Sequence, residues 1–89
     1  LETKKVPFFI LLPDIVETDL SIEEYISSKL KIKTHEFAIE YVRCQLNKGK
    51  AAVLLDSLDE VPISKREKAY ALINNFSALY PRSKMLITC

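Results

Sequence analysis

Apolar positions along this 89-residue chain change period as the chain advances. Residues 6–12 (VPFFILL) are aromatic and branched almost throughout and predict a strand, with Pro7 tolerated near its start and Pro13-Asp14 closing it. Helical spacing follows. Ile22, Tyr25, Ile26 and Leu30 share one face, and Ser21 with Glu24 spells a capping box that starts the helix. Thr34 is placed to cap a second helix, whose buried stripe is Ala38, Tyr41, Val42 and Gln45, with Phe37 and Cys44 beside it. Gly49 is the only glycine; following Asn47-Lys48, it marks a left-handed helix end. Residues 50–56 form the second strand. Its Val53-Leu54-Leu55 run is uninterrupted, which suits a strand buried on both faces. Ser64 and Glu67 spell a second capping box, for a helix carrying Ala69, Leu72, Ile73, Phe76 and Tyr80 and stopped by Pro81. Residues 84–89 (KMLITC) read as a third strand.

The order β-α-α-β-α-β predicts an α/β fold with parallel strands and right-handed crossovers. The length allows one small domain, residues 1–89, without internal repeats. Phe8, Phe9, Phe37, Phe76 and Tyr80 are expected in its core, not on a stacking platform.

Charge narrows the partners. Thirteen Lys and Arg against twelve Asp and Glu leave a net charge of +1, which gives no reason to expect nucleic acid. Lys29, Lys31 and Lys33 form a basic stretch that reads as a solvated linker. No apolar run approaches the ~20 residues of a membrane span. Cys44 and Cys89 stand far apart with no CxxC or Cys/His cluster, so they read as reduced thiols of a cytoplasmic protein, not as zinc ligands. The sole histidine, His35, lacks partners at ligand spacing and reads as a surface or capping residue.

The chemistry concentrates at residues 53–60, Val-Leu-Leu-Asp-Ser-Leu-Asp-Glu. Asp56 falls at the carboxyl end of the second strand, the edge where open α/β sheets bind ligands. With Asp59 and Glu60 it makes three carboxylates within five residues, enough to hold a divalent cation and orient a water. The structural alternative is that Asp56 serves a turn and that Asp59 or Glu60 favours the next helix through its dipole. Arg66 follows in the next helical turn, solvated or paired with Asp59, Glu60 or a neighbouring subunit.

This segment resembles the Walker B region of NACHT-type NTPases, in the STAND class of P-loop ATPases. That pattern is an apolar strand, Asp, a small residue (here Ser57), an apolar residue, then Asp-Glu, and residues 53–60 fit it throughout. The resemblance extends further. Residues 80–88 are similar to the sensor 1 strand, and residues 6–12 with Pro13-Asp14-Ile15 to the strand after the P-loop helix. It implies a partial P-loop NTPase core whose three parallel strands are strands 2-3-4 of a sheet ordered 5-1-4-3-2, residues 50–56 being central. It also implies roles: Asp56 holds Mg²⁺ through water, Glu60 with Asp59 beside it orients or activates the attacking water, and Thr88 lies near the γ-phosphate of ATP. The small Ser57 leaves room for that phosphate and its metal.

Two parts of the family pattern are missing. The chain has no G-x-x-x-x-G-K-[ST] loop, and the sensor 1 arginine is expected just after Cys89, where it ends. The chain is therefore expected to be an internal fragment of a nucleotide-controlled, oligomerising signalling or defence protein, inactive alone. Its expected partner is the rest of the NTPase domain, with homodimerisation through the open edge at residues 84–89 as a second possibility. The competing readings are a non-hydrolysing α/β interaction or receiver-like module, and a P-loop ATPase of the AAA or helicase type.

Overall fold

The computed structural model describes residues 5–30 and 35–88, with the His35 side chain left out. Readings that fall on Lys31, Lys33, Thr34 and Cys89, and on the side chain of His35, lie outside the described residues.

The chain runs β1 (Val6–Leu11), α1 (Leu12–Ile15), α2 (Ile22–Lys29), α3 (His35–Asn47), β2 (Ala51–Asp56), α4 (Arg66–Leu79) and β3 (Lys84–Ile87). The strands form one all-parallel sheet in the order β1-β2-β3, with the aliphatic β2 in the middle. Phe8 stands beside Val53 and Val53 beside Met85, while Ile10 stands beside Leu55.

Both crossovers of this sequential order step the same way across the sheet, and right-handed crossovers then place every helix on one face. Phe8, Ile10, Ala51, Val53 and Leu55 are buried under that layer, in one core with Ile15, Ile22, Ile26, Val42, Leu46, Ile73 and Phe76. Among the described residues, none covers the opposite face. Phe9 is 71% exposed and Leu86 57%, while Leu54 between them is half-buried. This corrects two expectations: β2 is covered on one face only, and Phe9 belongs to the bare side. Strand alternation decides both, because a residue one step from Phe8 or Val53 points to the other face.

The helices follow their local chemistry with some departures. Ser21 accepts from the Glu24 amide at 3.2 Å, and the Glu24 carboxylate accepts from the Ser21 amide at 2.9 Å, which completes the expected capping box. The box expected at Ser64 and Glu67 does not form. Ser64 lies inside a single 3-10 turn (Ile63–Lys65), so α4 starts at Arg66 with no side-chain cap. The one-turn helix α1 replaces the expected loop at Pro13-Asp14, Pro13 being tolerated in a first turn. In α3 the buried stripe is Ala38, Val42 and Leu46, spaced by four. Phe37 is 69% exposed and Tyr41 is also exposed, so neither belongs to the stripe. Gly49 ends the segment at φ +68°, as its spacing predicted.

Polar contacts pin the helix layer. The Tyr25 hydroxyl donates to Asp14 Oδ2 at 2.7 Å, and Lys29 stands over the Tyr25 ring at 5.1 Å. The Tyr80 hydroxyl donates to the buried Glu23 at 3.0 Å, joining the end of α4 to α2. Among the described residues, no helix is long and apolar enough to cross a membrane.

Candidate functional site

Asp56 is the last residue of β2 and is exposed at its carboxyl end. Register brings β3 alongside. Leu55 pairs with Ile87, so the next step sets Thr88 beside Asp56. Thr88 then ties the end of β3 to β2 and to the turn beyond it through three bonds. Its amide donates to Leu55 O at 2.8 Å, its carbonyl accepts from the Leu58 amide at 3.2 Å, and its hydroxyl donates to Asp56 Oδ1 at 2.5 Å. The last bond fixes one carboxylate oxygen by a hydroxyl that approaches along the sheet, a short charge-assisted contact.

Beyond Asp56 the chain reverses at Ser57, which is left-handed at φ 67° and ψ 43°. A 3-10 turn (Leu58–Glu60) follows, closed by the Glu60 amide on Ser57 O at 3.0 Å and the Val61 amide on Leu58 O at 3.2 Å. Val61 is buried in the core and anchors the far end, while Asp59 and Glu60 are exposed. The conformation of Ser57 adds a backbone reason for a small, turn-forming residue there. An L-residue without local hydrogen-bonding capacity pays about 1–2 kcal/mol in that region.

Arg66, expected to be solvated or to pair with Asp59, Glu60 or a neighbouring subunit, stays partly exposed and bonds to no carboxylate among the described residues. Its Nε donates to Val61 O at 3.1 Å and its Nη2 to Asp59 O at 3.1 Å, so it binds the turn's backbone. Composition gave no sign of this. The only sequence signal is an arginine a few residues beyond a turn whose carbonyls lack strand partners.

The four expected site residues thus divide. Asp56 and Thr88 are in direct contact, and Asp59 and Glu60 stand on the turn that leaves the same strand end. They do not make a three-carboxylate cage. Among the described residues, no three acidic, His or Cys side chains come together closely enough to hold a metal ion. One exposed carboxylate still fits Mg²⁺, which keeps several waters and completes its shell with substrate phosphates; it does not fit an all-protein Ca²⁺ site.

No family model matches this chain, and no curated protein or solved structure matches it, so its own residues carry the functional reading.

Proposed function

We propose that this chain is the Walker B and sensor 1 portion of a NACHT-type ATPase that acts as a nucleotide-controlled switch in a cytoplasmic signalling or defence protein. The observation that carries the reading is the Asp56–Thr88 contact at the carboxyl edge of a parallel sheet, with Asp59 and Glu60 on the turn immediately beyond. The sheet order β1-β2-β3 agrees with strands 2-3-4 of the family's sheet.

Bound Mg²⁺ supplies the positive charge that phosphoryl transfer requires. Asp56 would hold it through water, with its carboxylate oriented by the Thr88 hydroxyl. Glu60, with Asp59 beside it, orients the attacking water. Thr88 would lie near the γ-phosphate. The phosphate cradle and its lysine come from the rest of the domain, which also covers the bare sheet face and the free edge of β3. Lacking them, the 89-residue chain does not turn over ATP, and its open edge, where Leu86 and Ile87 are exposed, is where a second copy adds on.

The test is made in the full-length protein. Glu60→Gln is expected to keep ATP binding while slowing hydrolysis at least ~100-fold, about 2.7 kcal/mol of barrier. Unchanged turnover removes the assigned role. A glycine-rich loop with Lys-Ser/Thr within roughly 40–60 residues upstream of Leu1 is expected; its absence favours the non-hydrolysing α/β module.

A further inference from the structure

Glu60 sits between two carbonyls that one side chain holds. Arg66 donates Nη2 to the carbonyl before it, at Asp59, and Nε to the carbonyl after it, at Val61, both at 3.1 Å. We propose that Arg66 is a positioning residue: its planar fork clamps the acidic turn so that the Glu60 carboxylate meets the attacking water in one orientation. This rests on the ATPase reading of the same site.

The need for a clamp follows from the turn itself. Leu58–Glu60 makes a single 3-10 turn with poor intrinsic hydrogen-bond geometry. Its entrance is a left-handed non-glycine residue, Ser57, which is easily lost to the ordinary region of backbone space. Its exit, Val61, is fixed by burial. Between these points, among the described residues, Arg66 ties the carbonyls flanking Glu60 to a helix. Arg66 is the first residue of α4, so the clamp refers the turn to the helix that carries Ala69, Ile73 and Phe76 into the core. A group that orients water must be held to about 0.5 Å. Because the guanidinium bonds to carbonyls and not to the carboxylates of Asp59 or Glu60, it fixes position while leaving the acid available. Lysine supplies the charge but not the two-pronged geometry.

The experiment compares wild type, Arg66→Lys, Arg66→Ala and Asp56→Asn in the full-length protein. Each is assayed for kcat and KM with Mg-ATP and for hydrogen exchange at the Glu60 and Val61 amides. The expected result is a fall in kcat of tenfold or more in both Arg66 variants, with KM for ATP changed less than twofold and faster exchange at those two amides. Full rescue by Arg66→Lys overturns the clamp, because charge alone then suffices. So does a raised KM with kcat intact, which makes Arg66 a nucleotide contact. So does exchange that quickens without loss of kcat, or kcat that falls without a change in exchange. A wild-type protein with no turnover, or turnover untouched by Asp56→Asn, defeats the ATPase reading itself and the catalytic part of this proposal with it. Turnover that needs Asp56 but ignores Arg66 defeats the clamp alone.

Discussion

The Thr88 hydroxyl donates to Asp56 Oδ1 at 2.5 Å across 32 positions of sequence. Parallel register produces this contact: Asp56 and Thr88 each lie one step beyond the paired residues Leu55 and Ile87, on the bare side of the sheet. The bond is therefore a property of two strand ends meeting, and it should be separable from the fold. Thr88→Val removes the hydroxyl at nearly constant shape. In the 89-residue chain it is expected to cost about 1 kcal/mol in urea denaturation. In the full-length protein it is expected to lower ATP turnover more than tenfold. Thr88→Ser, which keeps the hydroxyl, should hold both near wild type. Equal stability and turnover in Thr88→Val mean that the pair orients nothing.

Ser57 offers a choice between volume and conformation. If only a small side chain is required, Ser57→Ala is the mildest change and Ser57→Asn is harmful. The left-handed backbone at φ 67° argues the reverse, since Asn and Gly visit that region readily and β-branched residues do not. Ser57→Asn and Ser57→Gly are expected within about 1 kcal/mol of wild type, and Ser57→Val to cost about 2 kcal/mol or more. Thermal or urea unfolding of wild type and the four variants gives the order directly. Ala milder than Asn restores the volume argument.

The elements were legible where local chemistry decides them, and illegible where tertiary geometry does. The Ser21–Glu24 box and the Gly49 helix end are short-range patterns, and both form. The box at Ser64 has the same letters but falls inside a 3-10 turn, so α4 begins one residue later than the box predicts. Phe9 and Phe37 look like core residues because they are large and apolar. One lies on the uncovered face of the sheet and the other off the helix stripe, which composition cannot reveal. Asp56 was readable as a strand end, whereas its bond to Thr88 needed the pairing register, and the Arg66 contacts needed the path of the loop.

The α3 stripe provides a paired test of that geometry. Leu46 is fully buried among the core residues, while Phe37 is mostly exposed. Leu46→Ala is expected to cost about 2–5 kcal/mol, the loss of transfer energy plus the cavity left behind. Phe37→Ala, though it removes the larger side chain, is expected to stay within about 1 kcal/mol. Urea midpoints at unchanged m-value measure both. A larger loss at Phe37 than at Leu46 reverses the assigned orientation of α3.

Alkaline pH is the condition under which the tyrosine contacts should fail first. Burial is the main cause that pushes the Tyr25 phenol up to about 12, and its hydrogen bond to Asp14 and the charge of Asp14 add to it. Tyr80 is raised in the same direction, by burial and then by the charge and hydrogen bond of Glu23, with Arg43 opposing. The folded chain thus binds these protons more tightly than the unfolded chain, whose tyrosines ionise near pH 10. Between the two values the unfolded state has lost the proton and the folded state still holds it, so stability falls as pH rises. The Tyr25 contribution is complete below pH ~10 and is lost by pH ~12. Tyr25→Phe removes the titrating group. It should cost about 1 kcal/mol at neutral pH for the missing hydrogen bond, and then lose less stability than wild type from pH 10 to 12. Urea unfolding of both proteins at several pH values across that range reads the difference, and other titrating groups cancel in the comparison. Parallel curves for wild type and Tyr25→Phe would falsify the assignment and move the alkaline sensitivity to Tyr80 and its Glu23 partner.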